Sequence, residues 1–469
     1  MEDNNRFEQD EFRDKIATVD EEGKRIWVYP KKQFGKYFSR RAVVAYLLLA
    51  LLFSGPFIKI NGEPLLMINI IERKFVIFGQ IFWPQDIFIF AIGMIAFVVL
   101  VIVFTVVFGR LFCGWVCPQT IFMEMVFRRI EYLIDGDWKQ QQKLDKMPWK
   151  GYKIYKRLLK WGIFWIISFL IANTFLAYII GIEEISKIIT DSPANHTGSL
   201  IAIILFTTIF FAVFAWFREQ VCTTVCPYGR LQGVLLDKQS IVVAYDYVRG
   251  EKRARFRKNE NRIASGKGDC IDCHQCVNVC PTGIDIRNGT QLECVNCTLC
   301  IDACDYMMEN VGLEKGLIRY DSEEGIRKNK PWKLSKRAKA YVVVMFAIVG
   351  LLATLILSRK EIDATILRVK GSTYMKYDEN TYSNVFKGTF MNKTNKDQEV
   401  KLKVNSGNAE VVIIGGPLIL KKGEIVKREL LVKMDEDQLE GSKTPFTLGI
   451  YSEGKLIEEE RVDFFGPGF

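Results

Sequence analysis

The sequence predicts a multi-domain membrane protein: an α-helical transmembrane bundle of about five spans, a cysteine-rich insert and a C-terminal all-β sandwich. Three features of the 469 residues lead there. The apolar residues are gathered into blocks, the 12 cysteines all fall in motifs, and the last hundred or so residues switch to period-two patterning. Hydrophobic residues make up 49% and aromatics 13%, yet 25% of the chain is charged, so the two kinds must be segregated along it. That combination excludes a disordered chain and argues against one soluble globule. Only two histidines occur, which leaves a histidine-based catalytic or metal site almost nothing to draw on.

Five apolar stretches approach or exceed the roughly 20 residues that a bilayer core requires: 42–60, 87–108, 159–182, 200–217 and 341–358. Ser54-Gly55-Pro56 interrupts the first, a break that neighbouring helices can tolerate. No cleavable signal peptide is expected ahead of it, since the first 40 residues carry 9 basic and 9 acidic side chains and no apolar core. Lys31, Lys32, Lys36, Arg40 and Arg41 stand just before span one, and the loop from Arg110 to Leu158 holds 10 Lys/Arg against 5 acids. Residues 249–258 hold 6 basic side chains and 326–339 hold 7, whereas loops Asn61–Asp86 and Glu183–Gly198 are poor in them. The alternation places the N-terminus in the cytoplasm and everything after Ser358 outside. It also assigns the net charge of +10 to flanks facing anionic membrane lipid, with no need of nucleic acid.

The insert between spans four and five carries the strongest motif. Cys270, Cys273, Cys276 and Cys280 form C-x2-C-x2-C-x3-C followed by Pro281; Cys294, Cys297, Cys300 and Cys304 repeat the spacing, followed by Asp305. This doubled run is the bacterial two-cluster ferredoxin pattern, in which the fourth cysteine of each run ligates the other cluster. One [4Fe-4S] cluster is therefore assigned to Cys270, Cys273, Cys276 and Cys304, and the second to Cys294, Cys297, Cys300 and Cys280. Zinc would use two pairs and leave the remaining cysteines unexplained, and disulfides do not suit a reducing cytosolic face. His274, inside the first loop, is read as a hydrogen-bonded loop side chain, with an alternative ligand or a tuner of potential as the sharper reading.

Four cysteines remain. Cys113-Gly-Trp-Val-Cys117-Pro118 follows span two and Cys222-Thr-Thr-Val-Cys226-Pro227 follows span four. On a helix, cysteines at i and i+4 share a face, and proline after the second should end or kink the helix. Two such pairs facing each other would make a four-thiolate site at the membrane edge, with softness suited to Cu(I) or an iron–sulfur centre. The residues leave the metal open; small buried helix-end cysteines are the plainer reading.

With these motifs, the chain resembles the FixG/CcoG/RdxA family of cytochrome c oxidase accessory proteins. The resemblance rests on Cys113–Pro118 with Gln119-Thr120, Cys222–Pro227 with Tyr228-Gly229-Arg230-Leu231-Gln232, both ferredoxin runs, and Tyr245–Glu251. Lys252 stands where the family usually has proline. The cysteine motifs are also similar to those of polyferredoxin quinol dehydrogenases, so the tail helps to choose. Val400, Leu402 and Val404 alternate with Lys401 and Lys403, and Phe446, Leu448 and Ile450 alternate with small or polar residues. Turn signals at Asn392-Lys393-Thr394-Asn395, Gly415-Gly416-Pro417 and Lys422-Gly423 separate such runs, as in a β-sandwich. The FixG family carries an immunoglobulin-like domain there.

The resulting division is a cytoplasmic N-terminal segment (1–41), the bundle with both C-x3-C-P motifs (42–239), and a cytoplasmic ferredoxin domain (240–325). A basic linker with the fifth span (326–358) and an extracytoplasmic Ig-like sandwich (361–469) complete it. The resemblance implies a multi-pass protein of the bacterial cytoplasmic membrane and an oxidoreductase, reducing Cu(II) to Cu(I) for assembly of a cbb3-type oxidase. Copper is its substrate or bound ion at Cys113, Cys117, Cys222 and Cys226. Expected partners are membrane lipid, an electron donor, and oxidase-assembly or copper-delivery proteins. A quinol-driven membrane electron relay and a non-enzymatic copper-holding assembly scaffold are the other readings.

Overall fold

The computed structural model describes residues 17–467, apart from 21, 61, 70–73, 83–85, 259, 330–331, 370, 372–373, 395 and 453. Residues 1–16 of the expected N-terminal segment, Phe469, and Asn61, Arg73 and Asn395 among the loop and turn signals, lie outside the described residues. The side chain of Arg230 does as well.

The chain divides into two compact units. The first comprises Met1–Gly55, Ile92–Ala177 and Ile182–Gly350; the second comprises Pro56–Ala91, Tyr178–Gly181 and Leu351–Phe469. Five helices are long and apolar enough to cross a membrane. They are α1 (Lys36–Ser54), α2 (Ile87–Phe108), α3 (Gly151–Ile180), α4 (Thr197–Ala212, continued by a π-helical turn to Phe217) and α5 (Lys336–Leu357). α2 has the expected limits. α3 begins at Gly151 rather than 159, because Lys153, Lys156 and Arg157 are good helix formers and hydropathy does not mark where a helix begins. The first span departs most from expectation. Its helix stops at Ser54, followed by a 3₁₀ turn at Gly55–Phe57, and Lys59–Ile60 forms a short strand with Glu63–Pro64. Pro56 has no N–H to continue the helical ladder, so 42–60 becomes a span of 36–57.

In the first unit, α1 is held at its start by another element. Its cap residue Gly35 has no side chain to offer; instead Asp302 accepts from the backbone N–H of Tyr37 at 3.1 Å and of Phe38 at 2.7 Å. A carboxylate at a helix N-terminus satisfies orphan donors and complements the dipole. A Cβ on Gly35 would lie 2.3 Å from the Asp302 carboxyl carbon, so only glycine permits the approach. Asp302 sits between Cys300 and Cys304 on the helix Leu299–Asn310, which ties the cysteine-rich insert to the bundle. Val242–Tyr245 pairs antiparallel with Ile318–Asp321 and closes the insert on itself.

The second unit is built around a β-sandwich. Its strands are β1 (Ile362–Arg368), β2 (Met375–Asp378), β3 (Thr381–Asn392), β4 (Gln398–Ser406), β5 (Ala409–Ile414), β6 (Leu418–Leu420), β7 (Ile425–Asp435), β8 (Lys443–Ser452) and β9 (Lys455–Phe465). One sheet has the order β5-β7-β3-β1, with β2 also on β3; the other has β6-β4-β8-β9. The period-two residues meet between them: Phe386, Phe390, Leu430, Val432, Leu448, Ile450 and Phe464 are fully buried. Gly415 and Gly416, at φ 101° and 93°, make the β5–β6 turn in a backbone region that side chains rarely enter.

A buried ion cluster stands within this unit. Asp86 accepts from Arg359 and Lys393, each at 2.7 Å, and Lys393 reaches Asp363 at 2.9 Å. Burial raises the Asp86 carboxyl, but the two cations outweigh it and hold it below the usual range. A lowered carboxyl stabilises the fold above its unfolded pKa, and that stability is lost as pH falls through the folded value, here below 3.8. Asp86→Asn removes the carboxylate of Arg359, leaving it the Ile81 carbonyl, and one of the two carboxylates of Lys393, and should cost about 3 kcal/mol. Lys401→Ala, in an exposed pair with Glu399, should cost under about 1 kcal/mol. Thermal melts of the full chain in detergent check the contrast; equal melting shifts would refute it.

Candidate metal centres

Of the eight insert cysteines, Cys276 lies in the short helix Gln275–Asn278 and Cys300 and Cys304 lie in the helix Leu299–Asn310, while Cys270, Cys273, Cys280, Cys294 and Cys297 lie in the connecting loops. Asp272 and His274 flank Cys273 with φ of 50° and 56°; Asn296 and Thr298 flank Cys297 with φ of 53° and 68°. The two motifs therefore repeat the same left-handed turns at the same offset as their cysteines. Asp, Asn and His are the non-glycine residues that best tolerate this region, a signal present in the sequence but not read from it.

Two cavities result. Cys270, Cys273, Cys276 and Cys304 line one, walled by Tyr245, Ile271, Met308 and Leu317. Cys280, Cys294, Cys297 and Cys300 line the other, with Cys276 also on its wall beside Val243, Ile284 and Val295. The last cysteine of each run thus reaches the cavity of the other run. Burial is the largest cause pushing these thiols up: Cys276 and Cys297 to about 12, Cys294 to about 11, Cys300 well above the ordinary value. Neighbouring cysteines add to each. Buried thiols crowded in apolar cavities become thiolates only against bound cations.

Two arginines point the same way, and sequence reasoning missed both. Arg41 is 1% exposed and donates Nε to the Gly114 carbonyl at 2.7 Å, while its two terminal nitrogens have no hydrogen-bond partner among the described residues. Its charge acts on Cys297. Arg110 is 3% exposed, its Nε also lacks a partner, and its charge acts on both Cys222 and Cys294. A buried guanidinium left unpaired is costly; a thiolate-ligated iron–sulfur cluster, anionic overall, would supply the missing counter-charge. The sulfur donors, the dry walls and the orphaned cations fit [4Fe-4S] groups. Both arginines had been assigned to the lipid-facing flanks, so part of that basic excess is internal.

The C-x3-C-P pairs differ from the expected single helices. Cys113 lies in the helix Leu111–Trp115, but Cys117 is extended (φ −58°, ψ 123°) and caps a new helix beginning at Pro118. Cys222 lies in a π-helical turn, Val221–Val225, and Cys226 (φ −69°, ψ 115°) caps the helix Pro227–Leu235. Proline drives its predecessor out of the helical region, so each pair is split over two elements. The pairs nonetheless meet. Burial, then Cys117 and Cys113, push the Cys222 thiol up to about 12; burial, with Cys113 and Cys226, raises Cys117. Among the described residues no three Cys, His, Asp or Glu side chains stand close enough to hold one metal ion, and this applies to the insert cysteines as well as to these four thiols.

The thiol site is seated on the insert. A Cβ on Gly114 would lie 2.4 Å from the Val295 carbonyl oxygen, and one on Gly229 would lie 2.3 Å from that of Cys222. Trp115 Nε1 donates to the Tyr320 hydroxyl at 3.1 Å, which donates in turn to the Asn296 carbonyl at 3.2 Å. Cys113 Sγ and the Gln232 amide are paired at 3.4 Å. His274 is held by Arg287 at Nδ1 (2.9 Å) and Asp272 at Nε2 (3.2 Å), as a hydrogen-bonded loop side chain would be.

Comparison with known proteins agrees with this geometry. A 4Fe-4S dicluster domain model matches residues 217–323, a 4Fe-4S binding domain model matches 90–139, and the IG-like fold at the C-terminus of FixG matches 352–467. Protein RdxA of Cereibacter sphaeroides is 33% identical over 81% of this chain and 82% of its own, and Protein RdxB of the same organism is 30% identical over 82% and 83%. Nitrogen fixation protein FixG of Rhizobium meliloti is 36% identical over 63% of this chain and 57% of its own length. Five apolar helices, dicluster cysteine runs, a FixG-type sandwich and these identities together place the chain in the FixG/RdxA family, as a membrane iron–sulfur electron-transfer protein.

Proposed function

We propose that the chain reduces Cu(II) to Cu(I) at the membrane-edge thiols and thereby supports assembly of a copper-dependent, cbb3-type terminal oxidase. Cys270, Cys273, Cys276 and Cys304 would hold one [4Fe-4S] cluster, and Cys294, Cys297, Cys300 and Cys280 the other. Such clusters supply one-electron storage at potentials reaching several hundred millivolts below zero. Arg41 and Arg110 balance the thiolate charge of the second set. Cys113, Cys117, Cys222 and Cys226 receive copper as a passing substrate, their softness favouring Cu(I) over Cu(II). The insert faces the cytoplasm and the sandwich the opposite side, following the Lys/Arg alternation.

The observation that carries this reading is the seating of both thiol pairs against the second cysteine run, through Gly114 on Val295 and Arg110 between Cys222 and Cys294. A single-turnover experiment tests it. Anaerobic, dithionite-reduced protein is mixed with Cu(II) while cluster absorbance and chelated Cu(I) are followed together. Two clusters giving one electron each should yield about two Cu(I) per chain. Cys113→Ser with Cys222→Ser should keep the iron and lower the Cu(I) rate at least about tenfold. Cluster oxidation without Cu(I), or an unaltered rate in the double variant, would remove the idea.

A further inference from the structure

The strand Val242–Tyr245 serves both cysteine cavities, and unequally. Side chains two apart on a strand point to the same face. Here Val243 walls the cavity of Cys280, Cys294, Cys297 and Cys300, while Tyr245 walls that of Cys270, Cys273, Cys276 and Cys304. At this position one centre meets a purely apolar neighbour and the other meets a phenol.

Tyr245 is 5% exposed, and its hydroxyl is shut away with no hydrogen-bond partner among the described residues. A buried tyrosine hydroxyl usually finds one. The oxygen lies sealed in the wall and does not open onto the void, so its partner has to be an atom of the wall itself. Local packing supplies one. Gly250 closes over the hydroxyl: a Cβ there would lie 2.1 Å from the Tyr245 oxygen. The Gly250 carbonyl accepts from the Cys270 backbone N–H at 3.4 Å, and a Cβ on Gly268 would lie 2.3 Å from that carbonyl oxygen. One glycine thus holds the phenol on one side and Cys270 on the other, and the two side chains belong to one buried cluster. Burial, then the Cys270 thiol and Glu251, push the Tyr245 hydroxyl above its usual range, so it keeps its proton. Arg253, 5.6 Å from the ring centre, opposes this without cancelling it.

A neutral thiol is a weak acceptor and leaves this donor unmatched, whereas a thiolate is a strong one. We propose that the Tyr245 hydroxyl donates to Cys270 Sγ once that sulfur is an iron-bound thiolate, and that this bond raises the reduction potential of the first centre alone. The inference rests on the reading that the two cysteine sets hold [4Fe-4S] clusters, and it adds a residue that sets them apart. An added electron makes the ligand sulfurs more negative, so a donor to one of them stabilises the reduced form more than the oxidised form. No proton moves, because the phenol keeps its hydrogen in both states. Tyr245 is a positioning residue that acts through Cys270. The first centre then takes its electron from a weaker reductant than it would need without the bond.

Redox titration of the full chain in detergent, followed by EPR, tests this. Cys294→Ala removes the second cluster and leaves the first, with about four irons, so its potential is read alone. Adding Tyr245→Phe, which takes away only the hydroxyl, should keep those irons and lower the equilibrium constant for reduction about tenfold, a downward shift of about 59 mV for one electron. In Cys270→Ala, which keeps the second cluster, Tyr245→Phe should leave the potential unmoved. After exchange into D2O, ENDOR of the reduced first centre should show a coupled deuteron that Tyr245→Phe lacks. Full iron with an unmoved first potential, an ENDOR spectrum unchanged by the substitution, or equal shifts in both backgrounds overturns the proposal. Gly250→Ala keeps the phenol but drives it off the sulfur, and should lower the first potential too. If Tyr245→Phe loses its iron, an unmoved potential in Gly250→Ala overturns the proposal instead. An iron-free wild-type chain would remove the cluster reading and this inference with it. Copper enters no step of the titration, so its result stands whether or not the copper reading holds.

Discussion

Cys280→Ala should lower the iron of anaerobically purified protein from about eight to about four per chain, since each cubane holds four. The single variant shows that Cys280 is a ligand, and pairs of variants show of which cluster. Cys280 lines the cavity of Cys294, Cys297 and Cys300, although it belongs by sequence to the first run. If that cavity is one centre, Cys280→Ala with Cys294→Ala removes the same cluster twice, and iron stays near four. Cys280→Ala with Cys270→Ala removes both clusters, and iron falls toward zero. Uncrossed ligation predicts the reverse for each pair. Residues acting as a unit are non-additive while independent ones add, so the contrast is between about four irons and almost none. Iron and acid-labile sulfide analysis of the three proteins reads it directly. Four irons in the Cys280/Cys270 pair would refute the crossed assignment.

The clarity of that test reflects how much of this molecule is written locally. Cluster spacing, span hydropathy and strand alternation each depend on residues within a few positions of one another, so α2, the two cysteine runs and the Val400–Val404 strand follow from pattern alone. What pattern misses is long-range or conformational. Arg41 looks like any flank arginine until the fold carries it onto Gly114 and Cys297. Asp302 gives no sign in sequence that it will cap a helix more than 260 residues away. The C-x3-C-P pairs read as helical faces because i and i+4 imply one helix, but the proline after each second cysteine turns that residue into the start of another element. The cavity lined by Trp27, Asp135, Trp161 and Arg218 collects residues from three distant stretches, each with a bland local reading.

Gly114→Ala should separate the redox centres without emptying them. The added Cβ would stand 2.4 Å from the Val295 carbonyl oxygen, whereas ordinary contact begins at 3.4 Å, so the surfaces must part by about 1 Å, the difference of the two. The obstacle is backbone, which cannot swing aside as a long side chain would. Val295 is followed by Asn296 and Cys297, so the displacement falls between the first thiol pair and the second cysteine run. A misplacement of about 1 Å can cost roughly 100-fold in a reaction that depends on alignment. Cu(I) formation by reduced protein should slow by about that factor while iron stays near eight per chain. Overpacking of this kind should also cost about 1–3 kcal/mol of stability. Gly162→Ala is the control, since a Cβ there meets nothing within 4 Å; it should leave the rate unchanged. Full iron with a wild-type rate in Gly114→Ala would mean that electrons do not cross at this turn, and the route would have to run through the Cys222 side, where Arg110 stands beside Cys294.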